Sequence, residues 1–291
     1  MTPYTYAVGE FLTVESEFEL FLFDTPPGPT VSGGDIVIRR GKNDTPTVER
    51  TGRGTVNRGP PTMDVEKERS TEPVRFMRLL LSAIQAMLLR QRATLAFGSA
   101  FRGPDGNGVG LFGPSNCGKS AASFRLALDR GYQLLADDLL VCHEGRVYPF
   151  PRYMNLPRDV PAVERWVRSE MASTEGVRLW ADEVDVPRRL VTETVPEHVT
   201  LDNVLLAAPR EPPGRSPEPV SPGRADETVA ELRRSALAGW ISESRTREAI
   251  DDGGADWRPI VQEVITDAAC HRLEVPQTVL ARSIAEFLEH G

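Results

Sequence analysis

Short apolar runs alternate with turn-rich stretches in the first part of the chain, and this pattern predicts strands. The runs include residues 18–23 and 35–39, with Pro, Gly and Ser clustered around them. A charged stretch then leads into an apolar pattern of helical period over 74–91, which we interpret as a core helix. We therefore predict a small β-rich N-terminal domain over residues 1–65 and a second domain over residues 66–291.

The middle of the chain combines a short apolar strand with an amphipathic helix. We predict the strand over 109–112 and the helix over 121–129, with Ala121, Phe124 and Leu128 on one face of the helix. The turn between these two elements is rich in small and polar residues. A strand, a glycine-containing turn and a helix, in this order, are the context that a phosphate-binding loop requires.

The turn itself fits the phosphate-binding pattern G-x-x-x-x-G-K-[ST] from Gly113 to Ser120. Glycines let successive backbone N–H groups converge on phosphate oxygens, and the N-terminus of the helix adds about half a positive charge directed at the same anion. Lys119 supplies a mobile cation for the outer phosphates, and the Ser120 hydroxyl can ligate magnesium. A chance match or a structural turn is the alternative. The predicted nucleotide-contacting residues are Gly113, Ser115, Asn116, Cys117, Gly118, Lys119, Ser120 and Ala121.

A pair of carboxylates follows this helix closely. Gly131 is predicted to end the helix in the left-handed conformation, and a strand over 133–136 then runs into Asp137 and Asp138. Neighbouring residues on a regular strand face opposite ways, so both carboxylates reach one site only if the strand ends or twists there. We predict that Asp137 accepts a proton and that Asp138 joins Ser120 as a metal ligand, with the reverse assignment of the two aspartates left open. A solvated turn is the alternative.

Two further features bear on the chemistry. Arg152 follows a predicted hairpin and can steady a phosphate or an acidic acceptor, which makes it a catalytic candidate beside Asp137 and Lys119, with a surface arginine as the equal alternative. Residues 209–224 are rich in Pro, Gly, Arg and Ser, which predicts a disordered linker or a mobile loop that carries Arg210, Arg215 or Arg224 to the phosphate. Other helices are predicted over 160–171, 230–250 and 277–289, and the second of them is expected to be opened by Ser221-Pro222 or Asp226.

Composition narrows the class of protein. The 291 residues carry a formal net charge of -8, which argues against nucleic acid as a general partner because phosphate backbones demand a basic surface. The three cysteines are widely spaced, so neither a zinc site nor a disulfide framework is indicated. The longest apolar stretch, 79–89, is too short to span a bilayer, and the first residues do not form a secretion leader. We therefore expect a cytoplasmic protein without a membrane partner, and a homo-oligomer is compatible with this composition.

Residues 108–156 resemble HPr kinase/phosphorylase and the HPr-kinase-like proteins related to it. The segments that carry the resemblance are G-P-S-N-C-G-K-S, A-L-D-R-G-Y, L-L-A-D-D-L-L-V and R-V-Y-P-F-P-R-Y-M-N-L. The resemblance implies an α/β fold with a P-loop kinase core of the HPr kinase/phosphoenolpyruvate carboxykinase-like type, and it implies ATP or another purine nucleoside triphosphate with Mg²⁺. Phe97 stands where the family has a catalytic histidine, so the reverse, phosphorylase reaction is not implied.

The combined expectation is an ATP- and magnesium-dependent phosphotransferase that moves the γ-phosphate to a hydroxyl group. A serine or threonine of a peptide or protein is the first choice of acceptor, and a small-molecule alcohol such as a sugar or an amino acid is the second. A nucleotide-binding regulatory protein without transfer activity is the alternative from a different functional class, with Phe97 as its marker.

Overall fold

A computed structural model of the chain describes residues 4–16, 20, 23–24, 35–40, 46–50, 72–170, 177–179, 182–192, 194–209, 217–237 and 256–290. These residues form an α/β fold with a mixed six-stranded sheet at its centre and smaller sheets around it. Across the described ranges, no helix is both long and apolar enough to cross a bilayer.

The N-terminal strands form a four-stranded sheet. They are β1 (Tyr4–Val8), β2 (Leu12–Ser16), β3 (Ile36–Arg40) and β4 (Pro46–Arg50), and they lie in the order β1-β2-β3-β4. Only β2 and β3 run parallel to each other among these neighbours. The predicted strand over 35–39 coincides with β3, whereas most of the apolar run 18–23 lies outside the described residues. The predicted boundary at residue 65 also lies outside them and stays a prediction.

This sheet shares its hydrophobic core with the next helix, α1 (Glu72–Arg90). Tyr6 and Val14 belong to the same buried cluster as Leu80 and Ile84. Every described side chain of residues 80–89 is buried, as expected for the predicted core helix. The apolar face of α1 is therefore covered by strands from both sides of the predicted boundary, which ties the N-terminal sheet to the rest of the fold.

Two sheets lie behind the candidate site. A six-stranded sheet has the order β15-β16-β14-β7-β6-β8, and a three-stranded sheet has the order β10-β9-β5. Their strands are β5 (Ala93–Phe97), β6 (Ser99–Arg102), β7 (Gly108–Phe112), β8 (Gln133–Ala136), β9 (Leu139–His143), β10 (Arg146–Pro149), β14 (Asn203–Ala207), β15 (Glu218–Val220) and β16 (Ala269–Leu273). A third small sheet, in the order β11-β13-β12, contains β11 (Met154–Pro157), β12 (Arg178–Leu179) and β13 (Glu183–Val186).

The chain crosses from one of these sheets to the other at two adjacent points. Gly98 separates β5 from β6, and Asp137 with Asp138 separates β8 from β9. The two crossings are joined because the Gly98 N–H donates to the Asp138 carbonyl at 3.2 Å. Asp138 takes a left-handed φ of 69°, so strand β8 ends before the two aspartates. The end of the strand meets the condition, stated above, under which both carboxylates can reach one site.

The remaining helices are α2 (Lys119–Arg130), α3 (Pro161–Glu170), α4 (Pro222–Leu237), α5 (Arg258–Ile265) and α6 (Leu280–His290). Gly131 ends α2 with a φ of 69°, which confirms the predicted C-terminus. The predicted face of α2 is partly wrong, because Leu128 is 41% exposed whereas Phe124 and Leu126 are buried. The core therefore contacts α2 on a face rotated away from Leu128.

In the C-terminal half, one expectation needs correction and another is confirmed. Residues 217–224, within the predicted linker or mobile loop, form β15 and the first turn of α4. Helix α4 begins at Pro222, which confirms the first of the two predicted start points, Ser221-Pro222. The rest of the predicted linker, 210–216, and the rest of the predicted helix, 238–250, lie outside the described residues.

Candidate active site

The loop 113–118 connects β7 to α2 at the centre of the six-stranded sheet. Strand β7 is buried along its whole length between β14 and β6, so the loop projects from the sheet at a fixed place. Asn116 and Gly118 adopt left-handed φ angles of 59° and 90°. A Cβ atom on Gly113 would lie 2.7 Å from Cys117 Sγ and 2.8 Å from the Ala207 carbonyl oxygen. The close approach of the backbone to its neighbours therefore requires glycine at position 113.

Gly113→Ala is expected to destabilise the fold by about 1–3 kcal/mol, because the added methyl group would overlap both the buried sulfur of Cys117 and the carbonyl oxygen of Ala207. Thermal or urea unfolding measures the loss. Gly223→Ala in the first turn of α4 is the matched control, since a Cβ there meets no atom within 4 Å. Equal stability of the two variants would contradict the close packing around Gly113.

The Lys119 side chain lies back across the loop. Its Nζ donates to the carbonyl oxygens of Gly113 at 3.0 Å and Pro114 at 2.8 Å, and it lies 4.8 Å from the centre of the Phe97 ring. Lys119 is only 6% exposed, and within the described ranges its ammonium group makes no ion pair with a carboxylate. Its partners are neutral dipoles and a π face, so the positive charge at the mouth of the loop is not neutralised.

Asp137 is the most deeply buried ionisable group of the site, at 1% exposure. Its Oδ1 accepts a hydrogen bond from the Ser99 hydroxyl at 2.5 Å, while its Oδ2 accepts none from the described part of the chain. Burial and then the charge of Asp138 raise the pKa of Asp137, whereas Ser99, Ser120 and Lys119 act in the opposite direction. The site therefore holds a carboxyl group that binds a proton more readily than an ordinary aspartate.

Asp138 and Arg152 form an ion pair at the same edge. Their side chains are 27% and 19% exposed, so the pair is partly shielded from water. Arg152 is thus not the isolated surface arginine of the alternative interpretation. Its guanidinium group engages Asp138 directly, whereas the sequence suggested only proximity to the carboxylates.

These groups line one cleft with a volume of about 1360 Å³. The predicted site residues that line it are Gly113, Ser115, Asn116, Gly118, Lys119, Ser120, Ala121, Asp137, Asp138 and Arg152. Cys117 does not line the cleft: its side chain is buried, and its N–H donates to the Pro114 carbonyl at 3.4 Å. Its predicted contact with a nucleotide stays a prediction. Burial raises the pKa of the Cys117 thiol in spite of the nearby Lys119 charge.

Sequence reasoning missed several groups around this cleft. Ser99 hydrogen bonds to Asp137 from the opposite crossing, and the Gln277 side-chain amide donates to the Asn116 carbonyl from the chain just before α6. Arg125 and Arg165 line the cleft from α2 and α3. No sequence motif predicts any of these four residues, because the part each one plays depends on contacts that form only in the folded chain.

Residues 209–224 offered three candidate arginines besides Arg152, and one of them lies within the described residues. Arg224 lies exposed at the start of α4 and does not line the cleft. Arg210 and Arg215 lie outside the described residues. The described lining of the cleft contains no histidine, and its carboxyl groups belong to Asp137, Asp138, Asp159 and Glu183.

The comparisons with known proteins give one kind of match. No protein-family model matches the chain, and no curated protein matches it. Forty-three chains of solved structures match, among them the HPr(Ser) kinase/phosphatase from Coxiella burnetii. That match is 13% identical and covers 67% of this chain and 91% of that chain, with a TM-score of 0.32. At this TM-score the likeness supports no argument about activity.

Proposed function

We propose that this protein is a magnesium-dependent phosphotransferase that moves the γ-phosphate of ATP, or of another purine nucleoside triphosphate, to a hydroxyl group. The observation that supports it is the meeting of Lys119, Asp137 and the Asp138–Arg152 pair in one cleft at the N-terminus of α2. An unneutralised cation, a proton-accepting carboxyl and an arginine are the groups that phosphoryl transfer uses.

The phosphate chain is proposed to lie on the loop 113–118. The N-terminus of α2 directs N–H groups and its positive dipole end into the cleft. Lys119 now donates to neutral carbonyl groups, and charged phosphate oxygens are stronger acceptors than carbonyls. The ammonium group can therefore turn from the loop to the β- and γ-phosphates.

Ser120 and Asp138 are proposed to hold magnesium. Hydroxyl and carboxylate oxygens are suitable donors, and both residues line the cleft beside the loop. The described residues contain no group of three or more His, Cys, Asp or Glu that could hold a metal by themselves, so phosphate oxygens would have to complete the coordination of the ion. When bound, magnesium neutralises charge that develops on the transferring phosphate.

Asp137 is proposed as the base. The acceptor oxygen bonds to the γ-phosphorus, the bond from phosphorus to the bridging oxygen breaks, and the nucleoside diphosphate leaves while Asp137 takes the hydroxyl proton. Its raised pKa makes proton acceptance more favourable than for an exposed aspartate, and its Oδ2 has no competing donor within the described ranges. Arg152 steadies the transferring group beside Asp138.

The acceptor is proposed to be a serine or threonine hydroxyl of a peptide or protein, with a small-molecule alcohol as the second candidate. The cleft of about 1360 Å³ exceeds the volume of roughly 300–1,000 Å³ that is typical of a site for one small ligand. It therefore has room for a nucleotide together with part of an acceptor. Both acceptor classes present the same hydroxyl to Asp137.

Calorimetry and label transfer together test this function. We expect magnesium-dependent heat of binding with purine triphosphates, and transfer of label from γ-labelled ATP to an acceptor in an extract of the source cells. Mass spectrometry then identifies the phosphorylated molecule by comparing cells that carry the wild type with cells that carry Lys119→Ala. Tight binding with neither transfer nor hydrolysis would favour a nucleotide-binding regulatory protein, and absence of binding would overturn both proposals.

A further inference from the structure

A buried ion pair lies beside the site without entering the cleft. Arg188 Nε donates to Asp24 Oδ2 at 2.6 Å and Nη2 donates to Asp24 Oδ1 at 3.2 Å, so the guanidinium group grips both carboxylate oxygens. The backbone N–H of Arg188 adds a third contact to the same carboxylate at 3.3 Å. Both side chains are at most 5% exposed. Removing either partner would leave an unpaired charge in the protein interior, so Asp24 and Arg188 depend on each other as one buried ion pair.

Another N–H of the Arg188 side chain donates to β8, the strand that ends directly before the two aspartates. Arg188 Nη1 donates to the Leu135 carbonyl at 2.5 Å. Strand β8 is the last strand of its sheet, and its pairing with β6 shifts register so that Ala136 and Leu134 oppose consecutive residues. Leu135 is therefore the extra residue of a β-bulge, with a buried carbonyl that needs a donor from outside the ladder.

The bulge determines the direction in which the Asp137 side chain faces. Side chains alternate along a strand, so an extra residue two positions before Asp137 reverses which face each following side chain takes. Here Asp137 lies buried beside Ser99, and both Asp137 and Asp138 line the cleft. The bond from Arg188 satisfies the bulged carbonyl and so maintains this arrangement.

Asp24, the acidic partner of the ion pair, contacts the segment that carries Arg152. The Asp24 N–H donates to the Pro151 carbonyl at 3.0 Å, and Phe23 forms an antiparallel bridge with Arg152. Asp24 and Arg188 thereby join the end of β8 to the residues around Arg152, which are the two chain segments that bring Asp138 and its partner together.

We infer that Asp24 and Arg188 are positioning residues for the transfer reaction: the pair sets the bulged end of β8 against the Arg152 segment so that Asp137, Asp138 and Arg152 meet at the phosphate. The inference rests on the proposed function. It assigns a part in the reaction to the N-terminal segment, which contributes no side chain to the described lining of the cleft.

The double variant Asp24→Leu with Arg188→Met tests this positioning. Replacing a buried pair by apolar residues of similar volume leaves no stranded charge, so the fold is expected to persist. Without the guanidinium group the bulge is no longer held, and we expect kcat to fall by about 10–100-fold while the dissociation constant for magnesium-nucleotide changes less than about twofold. Amide hydrogen exchange at residues 136–139 is expected to accelerate.

Arg188→Lys provides a second variant. A lysine keeps the charge beside Asp24 but lacks the planar fork that bonds to Asp24 and Leu135 at once. We expect its kcat to lie between those of the wild type and the double variant. Unchanged kcat in both variants would overturn the inference.

Val204→Ala is the control for stability alone, since Val204 is fully buried in β14, where it lies opposite Gly110 of β7 and Cys270 of β16. At matched thermal stability it should retain kcat and the slow exchange of 136–139, and an equal loss of kcat in this control would overturn the inference. If the wild type transfers no phosphate, the proposed function fails, and the exchange at 136–139 still decides the contact: acceleration in the double variant supports it, and unchanged exchange overturns it.

Discussion

Asp137→Asn is expected to lower the rate of phosphoryl transfer by about 10²–10⁴-fold while nucleotide binding stays within about twofold of the wild type. The asparagine oxygen can still accept the hydrogen bond from Ser99, but the amide cannot take a proton from the acceptor. Label transfer measures the rate, and calorimetry measures the binding. Asp138→Asn is the paired variant, and we expect it to lose the magnesium dependence of binding because Asp138 is the proposed ligand.

The same variant has a stability signature. Because burial raises the pKa of Asp137 above that of an unfolded aspartate, its ionised form costs stability as the pH rises through the folded pKa. Asp137→Asn is therefore expected to raise the melting temperature at neutral pH, and the gain should disappear below about pH 4, where the carboxyl is protonated in both states. Full transfer activity in Asp137→Asn and in Asp138→Asn would show that the proposed mechanism is wrong.

Lys119→Ala is expected to lower kcat by about 10²–10³-fold, because it removes a cation aimed at charge that develops in the transition state. Binding of magnesium-nucleotide should also weaken by about 10–100-fold, the loss that corresponds to a charged hydrogen bond of roughly 1.5–3 kcal/mol. Calorimetry and single-turnover label transfer separate the two effects. Circular dichroism checks that the loop and α2 remain folded.

Arg125→Ala is the matched control for Lys119→Ala. Arg125 lies on the same helix and also lines the cleft, but it pairs with Asp129 and is not part of the proposed machinery. We expect its rate and affinity to remain within about threefold of the wild type, as for an exposed ion pair. Equal losses in both variants would mean that the cleft responds only to total charge, and the specific role of Lys119 would fail.

The local parts of the site could be predicted because short-range rules govern them. The spacing from Gly113 to Ser120, the helix that follows and the left-handed Gly131 each depend on residues only a few positions apart. The pair Asp137 and Asp138 was recognised in the same way, together with the requirement that the strand end before both could face one cleft. Leu128 shows the limit of such rules, since the face of a helix that is buried depends on what packs against it.

The sequence alone determined the order of strand, loop and helix and the kinds of chemical group near the loop, because backbone preferences and side-chain chemistry are local properties. Tertiary structure decided which groups meet. The Ser99 hydroxyl reaches Asp137 across 38 positions, Gln277 reaches Asn116 across 161, and Arg188 reaches Asp24 across 164. Such contacts form when sheets and helices pack together and bring distant parts of the chain into contact. Burial in that packing raises the pKa of Asp137, and no pattern of neighbouring residues predicts this burial.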